Sequence, residues 1–173
     1  MRVATLFKRV LRLGRGRVVG VELIEENGQE QIVVDVALRD RRPMRCSGCA
    51  MRVHTAYDTR QVTWRHLDLG RIRCLIRCQV RRLECPACGV RNEAVPWARA
   101  GSRFTRAFED TRVWLVKAAP KSTVATLMRV DWHTVGRMIE RVVAEHSAQR
   151  DGDGLDGLTR IGIDEVAYRK GHR

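Results

Sequence analysis

Residues 71–89 read RIRCLIRCQVRRLECPACG and join an alternating segment to a closely spaced pair of cysteines. Apolar residues occupy every second position of the first part: Ile72, Cys74, Ile76, Cys78 and Val80. A period of two predicts a β-strand with one buried face. Because Cys74 and Cys78 share that face, we expect them to be small buried side chains and not metal ligands.

The opposite face of this predicted strand is basic. It carries Leu75 and Gln79 among four arginines: Arg71, Arg73, Arg77 and Arg81. Such a face either contacts phosphate groups or is solvated. In a DNA-binding protein the first interpretation is favoured, and the pattern singles out no individual arginine.

The other four cysteines form two CxxC pairs: Cys46, Cys49, Cys85 and Cys88. A two-residue spacer allows both thiolates of a pair to reach one ion, and Gly48, Pro86 and Gly89 suit the tight turns that this requires. We therefore expect one structural Zn²⁺, with the residues between the pairs forming a hairpin that brings them together. A redox dithiol is the alternative, but neither pair begins a helix in a βαβ unit.

The chain has 173 residues and a formal net charge of +13, mostly from arginine. Neutralising phosphates releases counterions, so this surplus favours a nucleic-acid partner. An anionic membrane surface is the alternative, but no basic run has an amphipathic apolar face. No uncharged apolar run approaches the roughly 18 residues of a membrane span. Six cysteines without a secretory signal indicate a reducing, cytoplasmic location.

The first 40 residues are predicted to form a helix from Thr5 to Leu13 and then a β-hairpin. The strands of the hairpin are residues 17–25 and 31–38. Asn27-Gly28 lies between them and is a turn signal, because both residues tolerate positive φ.

Residues 102–146 are predicted to be helical. One helix runs from Thr105 to Ala119 and ends before Pro120, and a second begins at the N-cap Ser122. A third follows the N-cap Asp131 and carries an apolar stripe for packing: Val135, Met138, Ile139, Val142 and Val143.

A short helix, a tight turn and a longer helix make a helix-turn-helix, which places the first residues of its last helix in the major groove. With the net charge, this predicts binding of double-stranded DNA through polar residues of that helix: His133, Thr134, Arg137 and Arg141. The alternative is a plain three-helix bundle whose polar face is solvated.

Three motifs in this order resemble the N-terminal half of bacterial insertion-sequence transposases of the ISL3 group: CxxC…CPxCG, DWHTVGRMIERV and IGIDEVAYRKGH. Those proteins are DDE enzymes with a zinc finger, a helix-turn-helix and an RNase H-like catalytic domain. The resemblance implies a bacterial, nucleoid-associated protein that binds terminal inverted repeats. It also implies as partners a second copy or a full-length transposase.

The resemblance further implies that Asp164 is the first of three catalytic carboxylates, which hold Mg²⁺ in a full-length relative. Glu165 points to the other face of that strand. The second and third carboxylates of the triad have no counterpart before Arg173, so we expect a truncated transposase that is inactive on its own.

The predicted fold class is α+β: a small β-rich zinc ribbon, then a three-helix helix-turn-helix domain, then a C-terminal stub of an RNase H-like domain. The predicted segments are an N-terminal helix and hairpin (1–40), the zinc ribbon (41–100), the helix-turn-helix (102–146), a linker (147–160) and the stub (161–173). A standalone zinc-ribbon and helix-turn-helix regulator is the alternative, but it needs a ligand or dimerisation module. An RNA-binding protein is disfavoured because only 5% of the residues are aromatic.

Overall fold

The computed structural model describes residues 3–38 and 43–148. Its helices are α1 (Val3–Val10), α2 (Arg106–Leu115), α3 (Lys121–Leu127) and α4 (Trp132–Ala148). Its strands are β1 (Arg17–Glu26), β2 (Gln29–Ala37), β3 (Met44–Arg45), β4 (Arg52–Val53), β5 (Ala56–Arg65), β6 (Arg73–Cys85) and β7 (Gly89–Asn92). The predicted α+β class is confirmed for these residues, and the predicted linker and RNase H-like stub lie outside them.

One sheet contains most of the strands. β1, β2, β6 and β5 lie side by side in that order, and β7 pairs with the end of β6. β2 and β6 are parallel, whereas the other pairs are antiparallel. The predicted boundary between residues 40 and 41 therefore divides a continuous sheet. Long-range parallel pairing leaves no local signal in the sequence, because its partners are far apart along the chain.

The β1–β2 hairpin has the predicted strands and turn, with φ of 53° at Asn27 and 72° at Gly28. The predicted N-terminal helix is wrong at its C-terminal end. It stops at Val10 because Arg12 has a φ of 47°, which an α-helix does not allow. Leu11 and Leu13 instead turn into the core, where they are fully buried.

The strand β6 confirms the predicted alternation. Its core face buries Cys74, Ile76, Cys78 and Val80, each at most 2% exposed. Trp64 and Trp97 complete the same cluster and meet edge to face, with ring centroids 5.7 Å apart. Burial raises the pKa of both strand cysteines to about 12, so they are neutral thiols at physiological pH.

The other face of β6 is not simply solvated. Arg77 donates from Nε to Asp35 Oδ1 at 2.6 Å and also pairs with Glu22. Arg81 donates from Nη2 to Glu93 Oε2 at 2.6 Å. Two of the four predicted surface arginines are thus held by carboxylates of the protein itself, which is neither of the two predicted roles.

The three C-terminal helices start close to their predicted positions. Thr105 caps α2, and its Oγ1 accepts from Phe108 N. The prediction of Ser122 as the N-cap of α3 is wrong, because Pro120 holds that place and Ser122 lies in the first turn. The prediction of Asp131 is confirmed, since its Oδ1 accepts from His133 N at 2.9 Å.

Two details of the helical prediction need correction. The helix α2 ends at Leu115, four residues before the predicted end, and continues as turns. Val143 was included in the apolar stripe of α4 but is 51% exposed, whereas Val135, Met138 and Val142 are buried. The buried apolar stripe of α4 is therefore narrower than the stripe predicted from the sequence.

Among the described residues, no helix has the length and apolar character that a membrane span requires.

The helices are fastened to the sheet next to the end of β5. The backbone of Arg65 accepts from Thr105 N at 3.0 Å and donates to Arg103 O at 2.9 Å. Arg129 lies in the turn between α3 and α4, and its guanidinium contacts Asp68 and the carbonyl oxygen of Arg71. The turn that orients α4 is thus held by the loop between β5 and β6.

Candidate metal centre and nucleic-acid interface

Four cysteines converge at the end of the sheet: Cys46, Cys49, Cys85 and Cys88. Their sulfur atoms all lie within 4.8 Å of one another. Two come from the β3–β4 turn, one ends β6, and one lies in the turn between β6 and β7. Within residues 3–38 and 43–148, this is the one group of potential ligands close enough to share a metal ion.

The backbone of both turns is shaped around the sulfurs. Ala50 N donates to Cys46 O at 2.9 Å, and Gly48 N donates to Cys46 Sγ at 3.4 Å. In the second turn, Gly89 has a φ of 68°, a conformation that favours glycine. These are the tight turns that the CxxC spacing predicts.

Gly48 has a further role that the spacing does not reveal. A Cβ at this position would lie 3.1 Å from Cys88 Sγ and 3.7 Å from Cys46 Sγ. The first distance is shorter than ordinary van der Waals contact between carbon and sulfur. The absent side chain therefore lets the first turn approach the sulfur of the second.

The sulfur set has the chemistry and size that Zn²⁺ requires. A tetrahedral ion with Zn–S bonds of about 2.3 Å separates its sulfurs by about 3.8 Å. Cys49 Sγ and Cys85 Sγ are 3.5 Å apart. Burial raises the pKa of Cys46, but hydrogen bonds from the backbone of Cys49 and Gly48 and from neighbouring thiols lower it to about 7. The hydrogen bond with Cys49, then burial and the neighbouring Cys46, raise the pKa of Cys88 to about 12. Among the four sulfurs, Cys46 is therefore the one whose surroundings favour thiolate, the form that binds metal.

Little apolar packing supports this end of the sheet. The buried cluster around the sulfurs contains Cys46, Val53, Leu83 and Cys85, with Met44 and Cys88 packed against it. The strands β3 and β4 have two residues each. A cluster of this size buries too little apolar surface to order both turns without a cross-link.

The predicted DNA-contacting residues do not all share one surface. His133 and Arg137 are exposed on the first half of α4, and Thr134 is half-buried beside them. Arg141 is different, because its Nε and Nη2 donate to Glu109 Oε1 at 3.0 and 2.7 Å. Glu109 is fully buried, and Arg141, whose side chain is 28% exposed, is anchored to it through two of its three nitrogens.

The prediction overlooks one aromatic residue on the exposed face of α4. Trp132 is 55% exposed, and its ring lies 4.0 Å from the ring of His133 between centroids. Its position directly after the N-cap Asp131 is the signal that could have found it. Asp164 lies outside the described residues, so its predicted catalytic role has no geometry to compare.

Comparison with known proteins connects both regions to one group. The family model described as the zinc-finger of transposase IS204/IS1001/IS1096/IS1165 matches residues 42–88. The model described as the helix-turn-helix domain of transposase family ISL3 matches residues 93–143. These two matches cover the cysteine cluster and the three C-terminal helices, respectively. No solved structure matches the chain at a significant level.

Curated relatives match along the whole chain. The transposases for insertion sequence element IS1557 of Mycobacterium tuberculosis strains CDC 1551/Oshkosh and ATCC 25618/H37Rv are each 36% identical over 180 residues. The alignment covers 100% of this chain and 39% of each relative, so the chain spans about two fifths of their length. The chain therefore belongs to the ISL3 family of insertion-sequence transposases, of which it carries the zinc-finger and helix-turn-helix domains.

Proposed function

We propose that this chain recognises the ends of an insertion sequence. In this proposal Cys46, Cys49, Cys85 and Cys88 hold one structural Zn²⁺, and α4 enters the major groove of the terminal inverted repeats. The single observation that carries it is the helix-turn-helix, in which one face of the first half of α4 is exposed and presents His133 and Arg137. In such motifs the first turns of the last helix reach the base edges.

We include Thr134 among the proposed contacts, because it lies beside His133 and Arg137. Its hydroxyl can form a hydrogen bond with a base or a phosphate group. Arg141 stays a proposed contact but a weaker one, because its Nε and Nη2 donate to Glu109. Electrostatics supports the partner. With a net charge of +13, the chain gains affinity for a polyanion through counterion release.

The wider role follows from the family. We propose that Asp164 corresponds to the first of the three carboxylates that bind Mg²⁺ for DNA strand transfer in a full-length relative. The same reasoning gives a second copy or a full-length transposase as protein partner and the bacterial nucleoid as location. This proposal is based on the similarity to the transposase for insertion sequence element IS1557.

The proposed function is tested by titrating the zinc-loaded chain with two duplexes of equal length. One carries the terminal inverted repeat of the insertion sequence that encodes the chain, and the other has a shuffled sequence. We expect tighter binding to the repeat, with affinity falling steeply as salt rises. Arg137→Ala should weaken binding by about tenfold, the effect of losing one good base contact.

Equal affinity for the two duplexes would contradict recognition of the element's ends. Preference for a site elsewhere would favour the alternative of a transcriptional regulator. Binding that does not change with salt would contradict the electrostatic argument itself.

A further inference from the structure

The helix α4 contains a glycine that the protein's own structure does not require. Apart from its chain neighbours and the adjacent backbone of α4, an added Cβ at Gly136 would meet no described atom within 4 Å. Glycine inside a helix lowers stability relative to alanine, because the unfolded chain loses more freedom when it folds. Glycine at this position therefore lowers the stability of the helix, and no contact within the described residues requires it.

The other described glycines all have a visible reason. Five have positive φ: Gly14, Gly28, Gly70, Gly89 and Gly101. Three are crowded, since a Cβ would lie 2.8 Å from Val36 at Gly16, 3.3 Å from Asp35 at Gly20 and 3.1 Å from Cys88 at Gly48. Among the residues that the structure describes, Gly136 alone has neither reason.

The surroundings of Gly136 indicate what the missing side chain admits. Residues three and four apart are neighbours on a helix surface, so Trp132 and His133 lie on one side of Gly136 and Glu140 on the other. All three are exposed, and the first two rings are in contact. The backbone at Gly136 is thus half-buried and carries no side chain, and it lies next to the Trp132–His133 pair on the side of α4 away from the buried Met138.

We propose that Gly136 is the point of closest approach between α4 and DNA, with the Trp132 indole against the duplex beside it. Without a Cβ, the helix backbone can move nearer to a groove wall by about the thickness of a methyl group. An indole at that place can then contact deoxyribose or a thymine methyl group, which are the apolar parts of the groove. This inference rests on the proposed function and specifies which surface of α4 the DNA touches.

Position along the helix agrees with this assignment. Gly136 is the fifth residue of α4, in the part of a recognition helix that reaches the groove. The helix is held in place by contacts at other points, namely the Asp131 cap and the pairing of Arg141 with Glu109. A change at Gly136 therefore alters the outer surface and leaves those contacts intact.

The test separates stability from binding through a mirrored pair of variants. Gly136→Ala is compared with Ala144→Gly, which changes an exposed position of α4, two turns further on. On helix propensity alone, the first should raise the melting temperature by about 2 °C and the second should lower it by a similar amount. Only Gly136→Ala should weaken DNA binding, by about tenfold, and Gly136→Leu should weaken it further.

The DNA probe is chosen without assuming the target. Zinc-loaded wild-type protein selects duplexes from a random-sequence library, and each variant is titrated with the enriched duplex. Trp132→Ala should weaken binding to it, whereas Trp114→Ala on α2 should not, although Trp114 is even more exposed than Trp132. The Trp114 variant is the control for the loss of a surface tryptophan outside the proposed contact.

The outcomes distinguish this inference from the proposed function. If Gly136→Ala and Gly136→Leu bind the enriched duplex as the wild type does, the close approach at Gly136 is refuted. If the enriched sequence is unrelated to the element's ends, the proposed function fails, but the Gly136 comparison still decides the inference. If no sequence is enriched, both fail.

Discussion

The cysteine cluster and the helical region are both organised by polar side chains, but the groups at their centres differ. At the cluster, four sulfurs on two turns converge within 4.8 Å, close enough to share one metal ion. In the helical region the centre is a side chain, the fully buried carboxylate of Glu109. It accepts from Ser102 Oγ at 2.8 Å, from Arg99 at 3.2 Å and from Arg141 at 2.7 Å.

The difference lies in where the information for each centre is found in the sequence. Each CxxC pair is local, so its spacing can be read without knowing the fold. The partners of Glu109 lie 7, 10 and 32 residues away, in a loop and in a different helix. A metal centre can thus be predicted from spacing, whereas a buried carboxylate centre becomes visible only when the helices are packed.

The largest expected effect is at the metal. Cys85→Ser should abolish zinc binding and lower the free energy of unfolding by more than about 5 kcal/mol, because structural Zn²⁺ contributes about 10–16 kcal/mol in zinc-finger peptides. Metal analysis of the purified reduced protein gives the zinc content, and urea unfolding gives the stability. One zinc per chain is expected in the wild type.

The matched control uses a cysteine of the same strand. Cys74→Ala should keep one zinc per chain and cost about 1 kcal/mol, the effect of a small cavity in the core. Cys74 is fully buried and is a neutral thiol with a pKa of about 12. Loss of zinc in the Cys74 variant would contradict the assignment of the four ligands.

The next effect is at the buried carboxylate. Glu109→Ala should lower the free energy of unfolding by about 3–5 kcal/mol, because it leaves Arg99 and Arg141 without their buried partner. Urea unfolding measures the change, and zinc content should stay at one per chain. Glu140→Ala, at an exposed position of α4, should stay within about 0.5 kcal/mol of the wild type. If Glu109→Ala also lost zinc, the two centres would not be independent.

The sequence predicts the parts of this molecule that have a short period or a short spacing. The alternation around Cys74 and Ile76, the turn at Asn27 and the cap at Asp131 are all recovered, since each depends on neighbouring residues. The pairing of β2 with β6 is not predicted, because parallel strands that are distant along the chain leave no mark of their register.

Charged side chains are the least predictable part of the candidate interface. Arg137 and Arg141 both lie on the polar side of the α4 sequence, and sequence alone treats them as equivalent. The structure separates them, because only Arg141 faces the carboxylate that α2 contributes. Similarly, the open surface at Gly136 follows from packing and not from the identity of the residue.

The smallest expected effect has the opposite sign and concerns Arg112, one turn after Glu109 on α2. Arg112 is fully buried, yet its Nε and Nη2 have no acceptor among the described residues, and its Nη1 lies 3.8 Å from Met138 Sδ. Burial, and then the nearby guanidinium of Arg65, lower its pKa to about 10. A buried charge without a partner costs free energy that an apolar side chain of similar size avoids.

Arg112→Met should therefore raise the free energy of unfolding by about 1 kcal/mol, whereas Arg112→Lys, which keeps the charge, should not. Urea unfolding of both variants beside Glu109→Ala makes the comparison within a single helix. A loss of stability in Arg112→Met would mean that the guanidinium has an acceptor in solution. Glu109 and Arg112 are equally buried but differ in their hydrogen bonds. A gain of stability in Arg112→Met would therefore show that a buried charge stabilises the helical region only when it has hydrogen-bond partners.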